Sequence, residues 1–287
     1  MEDILQPILN GILLGGLYAV IAIGLSTIMG IVKIMNFAHG DLMILSSYFC
    51  LILVSWLGIN PFLTLVAVVP AMYFLGFFMQ SFLINRVLGK ELEPPLIVAF
   101  GLSIILQNLL LLAFTPDART LMTDLSIKKI DLTEDLYIPV NYLLDFPIGI
   151  GIIFSLYYFF KKTYLGRAIR AASDNESVAQ LMGINTKTIY AKAMGIAMVT
   201  AAFAGLLVGM TFTFYPHTGS QFLFVAFGVA IIGGLGSMKG TLVAGVILAV
   251  AQLLGAHFLG PGYQMVSGHA VLLLVLLLRP QGIFGTV

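Results

Sequence analysis

Long apolar stretches follow one another along almost the whole of this chain. A helix needs about 20 predominantly apolar residues to cross the hydrocarbon core of a membrane. The seventh stretch is short, and its junction with the eighth is rich in glycine, as in half-length or re-entrant helices. We therefore predict an all-α polytopic membrane protein with eight to ten transmembrane helices, drawn from residues 7–31, 41–58, 61–88, 94–115, 140–160, 187–213, 221–237, 240–258 and 262–279.

Composition supports a membrane protein and excludes other classes. Only 9% of the residues are charged, against about a quarter in soluble domains, and the mean hydropathy is +1.04. A net charge of +1 gives no sign of nucleic-acid binding. The single cysteine, Cys50, supports neither a disulfide framework nor a metal cluster. The acidic start "MEDILQPILNG" lacks the basic region of a signal peptide, so we expect the first apolar segment to be retained.

The distribution of basic residues predicts the orientation, because Lys and Arg concentrate in cytoplasmic loops. With the N-terminus outside and the C-terminus in the cytoplasm, only Arg119, Lys128 and Lys129 of the 14 Lys and Arg lie outside. Residues 116–139 then form the main external segment, and we find no sign of a second domain within 1–287. In this orientation the other 11 Lys and Arg residues lie in the cytoplasm: Lys33, Arg86, Lys90, Lys161, Lys162, Arg167, Arg170, Lys187, Lys192, Lys239 and Arg279.

A polar segment, "GRAIRAASDNESVAQLMGIN", interrupts the apolar stretches from residue 166. Ser173 and Glu176 fit a capping box that starts a helix over 174–182, and Gly183 fits its end. Gly166 precedes a second helical piece. An acidic start and the lack of Lys and Arg in 171–186 favour a protein groove over the bilayer surface. The predicted contact residues are Asp174, Glu176, Ser177, Val178, Ala179, Leu181, Met182, Gly183 and Ile184.

The motif "NFAHGD", residues 36–41, separates the first two apolar stretches. We favour a capped cytoplasmic turn in which Asn36 and Asp41 bond backbone N–H groups. The alternative is a broken helix whose freed backbone groups line a cavity or gate. A catalytic role for His39 has little support, because no nucleophile accompanies it.

The glycine-rich motif "GGLGSMKG", residues 233–240, lacks the spacing of a phosphate-binding loop, and we predict a tight turn. Small residues four apart predict close helix contacts, in this subunit or with another: Gly11 and Gly15, Gly205 and Gly209, Gly236 and Gly240, and Ala251 and Gly255.

Charged residues inside the membrane distinguish transporter classes. We expect no Asp or Glu deep inside a span, which argues against an ion-coupled secondary transporter. The four histidines are scattered, which argues against an intramembrane enzyme. The remaining intramembrane polar groups, such as Gln107 and Gln252, are expected to bond neighbouring helices.

Several of these motifs together resemble permeases of the branched-chain amino acid ABC importer family, in particular the H-type permease. They are the 166–185 segment, the start "NGILLGGLYAVIAIGLSTIMGIVKIMNFAHGDLMILSSY", the late "AFGVAIIGGLGSMKGTLVAGVILAVAQ" and the end "LLRPQGIFG", in order from about residue 8 to 285. Two positions differ from the family: Val225 replaces a common Lys, and Gln252 a common Glu.

The resemblance implies a multi-pass permease of the prokaryotic plasma (inner) membrane, surrounded by lipid, and not an enzyme. Its partners would be a second related permease, two cytoplasmic ATPases that hold ATP and Mg, and a periplasmic or lipid-anchored binding protein. The chain itself would hold no cofactor. Segment 166–186 would couple to an ATPase. The solute would be a branched-chain or other hydrophobic amino acid, or alternatively urea, a short amide or an aromatic acid. Candidate pathway or gate residues are Gly15, Tyr18, Asn36, Phe37 and His39.

Overall fold

The computed structural model describes residues 2–33, 35–89, 93–123, 125, 128–133 and 136–285. Eleven helices and one two-stranded hairpin are described in these ranges. The helices are α1 Glu2–Ile31, α2 His39–Leu57, α3 Pro61–Val87, α4 Glu93–Phe114, α5 Val140–Lys162, α6 Tyr164–Asp174, α7 Glu176–Leu181, α8 Thr186–Thr211, α9 Gly219–Gly233, α10 Met238–Leu259 and α11 Gln264–Leu278.

The helices confirm the predicted membrane fold. Eight are long and apolar enough to cross a membrane, the last of them as Pro261–Leu278, in which the 3-10 turn Pro261–Tyr263 leads directly into α11. Helix α9 is a shorter apolar helix of 15 residues. The predicted spans correspond one to one to these nine helices. The short seventh stretch is α9, as expected for a half-length helix, and α6 and α7 occupy the polar segment between α5 and α8.

Helices α1 and α8 form the centre of the bundle and are the most buried of the long helices. Small residues allow this packing. A Cβ atom on Gly15 would collide with the backbone of Val246 in α10, and one on Gly205 with the backbone of Met43 in α2. The sequence did not decide whether the small residues pack within this subunit or against another one. Gly15 and Gly205 make close helix contacts within this subunit.

Helix α2 begins inside the bundle. Its first residue, His39, is buried, and its Nε2 donates to the carbonyl oxygen of Ile21 at 3.0 Å. Ile21 lies ten residues before the end of α1, about 15 Å along the helix axis at 1.5 Å per residue. The favoured prediction of a capped cytoplasmic turn at 36–41 is therefore wrong about the location, because Asn36, His39 and Asp41 are buried within the bundle. The cap that it predicted for Asn36 is present. The chain turns back between the helices before α2 begins.

Helix α9 begins beside the start of α2. A Cβ atom on Gly40 would collide with the Gly219 carbonyl group, and one on Gly219 with Asp41. From there α9 runs about 22 Å, and Gly233 at its end packs on Gly240. Helix α2 runs the other way, and its Tyr48 ring stacks on Phe114 at the end of α4. Two helix N-termini thus meet inside the bundle.

The described part of the predicted external segment holds a small hairpin. Strand β1, Lys129–Asp131, pairs with antiparallel β2, Tyr137–Pro139, and Ile130 lies opposite Ile138. Gln6 of α1 bonds the backbone of Tyr137. Upstream of the hairpin, Arg119 pairs with Phe214 in the loop between α8 and α9. The segment is thereby attached to the end of the bundle opposite α6 and α7.

The motif at 233–240 forms the predicted tight turn between α9 and α10. Gly234 and Gly236 have φ angles of 92° and 80°, which favour glycine. Ser237 caps α10 by accepting from the Gly240 backbone N–H at 3.1 Å. Gly236 packs against Gly30, so this turn lies at the end of α1, beside α6.

Candidate functional site

The helix pair α6–α7 is mounted firmly on the bundle. The Thr163 side chain caps α6 by accepting from the Gly166 backbone N–H at 3.0 Å. Gly166 therefore lies inside α6, where a Cβ atom would collide with the backbone of Phe160, and not before the helix as predicted. Ile169 is fully buried, and α6 packs against α1, α5 and α8.

Helix α7 begins with a different cap from the one predicted. Asn175 accepts from the Val178 backbone N–H at 3.0 Å, while the Ser173 hydroxyl donates to the Gly30 carbonyl oxygen at 2.8 Å. The predicted capping box is therefore wrong, and Asp174 ends α6. The predicted end is confirmed. Gly183 has φ +80°, and the Ile184 backbone N–H donates to the Ala179 carbonyl oxygen, which is the Schellman pattern.

The outer face of α7 is apolar and exposed. Val178, Leu181 and Met182 are 53%, 86% and 79% exposed, while Ala179 is buried beneath them. On the same helix Glu176 Oε1 accepts from Thr186 Oγ1 at 3.0 Å, which ties α7 to the start of α8. Among the other predicted contact residues, Asp174, Ser177 and Gly183 are exposed and Ile184 is half-buried. Helix α7 is thus held in a fixed position and exposes three large apolar side chains outside the bundle.

A second polar site, the Asp41 centre, lies where α2 and α9 meet. It consists of Asp41, Ser103, Gln107, His217 and Ser220. Ser103 Oγ donates to Asp41 Oδ2 at 2.5 Å, and Gln107 Nε2 donates to Asp41 Oδ1 at 3.1 Å. Gln107 Nε2 also donates to Ser220 Oγ at 3.2 Å, and His217 Nδ1 lies 3.4 Å from Gln107 Oε1.

The location of the Asp41 centre is unusual for polar groups. Gln107 lies seven residues before the end of α4, about 10 Å along the helix. Asp41 lies in the first turn of α2 and touches the first residue of α9, so two positive helix ends face its carboxylate. Asp41 and Ser103 are buried, Gln107 and Ser220 are half-buried, and His217 is exposed. One side of the centre is therefore open.

The predicted pathway residues lie mostly within the bundle in this conformation. Gly15 faces α10, and the Tyr18 hydroxyl donates to Gln252 Oε1 at 2.6 Å. Asn36 Oδ1 accepts from the Ala38 backbone N–H at 3.1 Å, as predicted for this motif. Phe37 is half-buried, and its ring centroid lies 5.7 Å from that of Phe227. Asn36, Phe37 and His39 thus lie at the start of α2, where His39 bonds Ile21, whereas Gly15 and Tyr18 face α10.

Two buried carboxylates contradict the expectation of no acidic residue deep in a span. Asp41 is 1% exposed and Asp145 is 2% exposed, and both belong to membrane-spanning helices. Asp145 Oδ2 accepts from Thr211 Oγ1 at 3.0 Å. The turn interpretation predicted that Asp41 bonds a backbone N–H group. Asp41 instead accepts hydrogen bonds from the side chains of Ser103 and Gln107.

The sequence motif included Asp41, but its partners were missed. The partners are far from Asp41 in sequence: Ser103, Gln107, His217 and Ser220. Of these, only Gln107 is predicted from the sequence to bond a neighbouring helix. The only local sign was an acidic residue at the start of an apolar stretch. Within the described residues, no group of three or more His, Cys, Asp or Glu side chains is arranged to hold a metal ion.

In the described part of the chain, nine apolar helices, two of which start inside the bundle around a polar centre, define a polytopic membrane protein. The family follows from comparison with known proteins. A family model described as "Branched-chain amino acid transport system / permease component" matches residues 7–278. The chain belongs to this family, and with its apolar helices it is a multi-pass protein of the prokaryotic inner membrane.

Individual relatives agree with the family. The permease protein BraD of a high-affinity branched-chain amino acid transport system in Pseudomonas aeruginosa is 34% identical, covering 98% of this chain and 95% of the relative. LivH of Escherichia coli, named for the same kind of system, is 31% identical with the same coverage. These relatives favour a permease subunit over the ion-coupled and enzymatic alternatives.

One solved structure shares the fold. The PsaBC complex from Streptococcus pneumoniae with Fab aligns with a TM-score of 0.51 over 96% of this chain and 93% of that chain. The sequence identity of 12% limits this likeness to the fold.

Proposed function

We propose that this chain is the membrane-spanning permease subunit of an ATP-driven importer for branched-chain or other hydrophobic amino acids. The names of BraD and LivH support the solute class. Escherichia coli also has LivM, a second permease protein of such a system, which is 24% identical to this chain. We infer that this subunit pairs with a related permease, and that two ATPases and a solute-binding protein complete the importer.

The observation that carries this proposal is the exposed apolar face of α7. Large apolar side chains that project from a bundle into water are unfavourable unless another protein covers them. Leu181 and Met182 are about four-fifths exposed, yet Asn175, Glu176 and Gly183 hold their helix in place. A short, rigid, apolar helix is suited to a groove on a partner. We infer that this partner is the ATPase, and that α6 transmits its movement to α1 and α8.

The proposed orientation places α6 and α7 in the cytoplasm and the hairpin of β1 and β2 outside. Its support is the distribution of basic residues, since 11 of the 14 Lys and Arg would be cytoplasmic. In this arrangement ATP stays on one side of the membrane with the ATPases, and the solute arrives from the other. No step of ATP hydrolysis is assigned to residues of this chain.

Reconstituted transport tests the function. Proteoliposomes that contain both permeases, the ATPases and ATP are expected to accumulate radiolabelled leucine when the binding protein is supplied. Vesicles with this subunit alone, under an imposed proton or sodium gradient, are the control and are expected to show no uptake. Gradient-driven uptake by the subunit alone contradicts the proposal. ATP-dependent uptake of urea or benzoate in place of leucine would retain the importer and replace the solute.

Cysteine labelling tests the orientation. Ala171 and Met122 are exposed on α6 and in the segment before β1, respectively. In a Cys50→Ser background, we expect Met122→Cys to react with membrane-impermeant thiol reagents in intact cells. Ala171→Cys is expected to react only after the membrane is permeabilised. Both variants carry the same new thiol, so each serves as the control for the other, and the reversed pattern would place α7 on the wrong side for an ATPase.

A further inference from the structure

The Asp41 centre has an open side that packing within this subunit does not explain. Polar groups that face lipid are costly, so exposed ones at this depth are covered by water, a solute or a partner. His217 and the neighbouring Gln221 and Asn108 are exposed. On α11 the exposed His269 lies across from α9, its ring 6.2 Å from Phe224. Exposed polar side chains thus occur on α4, α9 and α11 and in the loop before α9.

Charge and hydrogen bonding fix how the Gln107 amide is oriented. Both oxygens of the Asp41 carboxylate accept hydrogen bonds, one from Ser103 Oγ and one from Gln107 Nε2, which fits an ionised carboxylate because that group only accepts. The Gln107 Nε2 group therefore turns towards Asp41 and Ser220, at 3.1 and 3.2 Å. Its Oε1 atom faces the other way, where it accepts from Nδ1 of exposed His217 at 3.4 Å and keeps a second lone pair for another donor. An acceptor oxygen thus points to the open side, with a negative charge directly behind it.

This arrangement suits a group that carries a positive charge and several donors. An ammonium group has three N–H donors and no acceptor. Gln107 Oε1 and the half-buried Ser220 hydroxyl can accept from it, and the Asp41 carboxylate attracts it from the next layer. A solute carboxylate at the same position would approach a buried negative charge. The centre therefore discriminates between the two ends of an amino acid.

We propose that the Asp41 centre binds the ammonium group of the amino acid as it passes through the permease, with Gln107 Oε1 as the direct acceptor. This assignment rests on the proposed import of amino acids. Asp41 and Ser103 act as positioning residues, because they are buried and hold the Gln107 amide. The solute pathway then borders α4 and the start of α9, on the face that carries His217.

Transport by the assembled importer is the first test. With saturating leucine-loaded binding protein, Asp41→Asn and Gln107→Leu are each expected to reduce leucine uptake per ATP hydrolysed by about tenfold, as for the loss of a charge-assisted hydrogen bond. Asp145→Asn is the matched control, since Asp145 is an equally buried carboxylate that bonds Thr211 outside the centre. We expect its uptake to stay within about twofold of the wild type. Equal uptake in all four proteins overturns the proposal.

Thiol labelling is the second test and does not depend on transport. In a full complex that carries Cys50→Ser and His217→Cys, a trimethylammonium methanethiosulfonate is expected to react about tenfold faster than the sulfonate reagent of similar size. Asp41→Asn should bring the two rates together, and leucine should slow the reaction while 4-methylpentanoate, which lacks the ammonium group, should not.

The outcomes separate the two proposals. If the wild-type complex transports no leucine, the proposed function fails, and the labelling rates still decide whether the centre prefers cations. Equal rates with both reagents, or no protection by leucine, contradict an ammonium site. No reaction with either reagent means that the second permease covers the centre, which also contradicts the proposal.

Discussion

Replacing Leu181 with Asp is expected to abolish the stimulation of ATP hydrolysis by the loaded binding protein, while the permease still folds and inserts. Leu181 is 86% exposed in the subunit, so an Asp side chain there stays in water until the ATPase docks. Docking would bury the carboxylate in an apolar groove at a cost of about 3 kcal/mol, which weakens the contact roughly a hundredfold. ATPase rates and leucine uptake of reconstituted complexes measure the effect.

The matched control is Leu181→Met, which keeps an apolar side chain of similar volume at the same position. It should retain stimulation close to that of the wild type. Detergent-solubilised Leu181→Asp should elute as a folded subunit but fail to carry the ATPase with it during affinity purification. Normal stimulation and uptake in Leu181→Asp would show that α7 does not lie in an ATPase groove.

The membrane helices could be predicted because their signal is local. Hydropathy over about 20 residues determines whether a segment is stable in the bilayer, whatever surrounds it. The shortness of α9 was visible for the same reason. The end of α7 was also visible, since a glycine that follows a helix commonly adopts the positive φ that Gly183 has.

The start of α7 depended on a partner distant in sequence. Ser173 and Asn175 are both good caps, and the spacing to Glu176 favoured Ser173. In the folded protein the Ser173 hydroxyl is taken by the carbonyl oxygen of Gly30, 143 residues away in sequence. Asn175 is left to cap α7. The spacing of residues 173–176 gives no information about this competing bond to Gly30, so the cap could not be predicted from it.

The Asp41 centre was not predictable from spans. Hydropathy shows at which residue an apolar stretch begins. It does not show how deep in the helix bundle that residue lies. Asp41 at the edge of a stretch therefore resembled a residue at the membrane surface. Its partners lie on α4, on α9 and in the loop before α9, and only the packed helices bring them together.

The close approach of α2 and α9 depends on the absence of side chains at Gly40 and Gly219, and this leads to a second large expected effect. Gly40→Ala places a Cβ atom against the Gly219 carbonyl group, where backbone on both sides leaves little room to yield. Overpacking of this kind costs about 1–3 kcal/mol, and we expect the upper end because both contacting groups are backbone. The purified subunit should unfold at a clearly lower temperature in detergent.

Gly101→Ala in α4 is the matched control, because a Cβ atom there meets nothing within 4 Å. This variant should be neutral or more stable by up to about 1 kcal/mol, since Ala favours helix over Gly. Gly40→Ala should also lose transport, because parting α2 from α9 moves Asp41 away from Ser220 and releases the Gln107 amide. Equal unfolding temperatures and equal leucine uptake for the two variants would show that the helix N-termini do not need this contact to hold the Asp41 centre together.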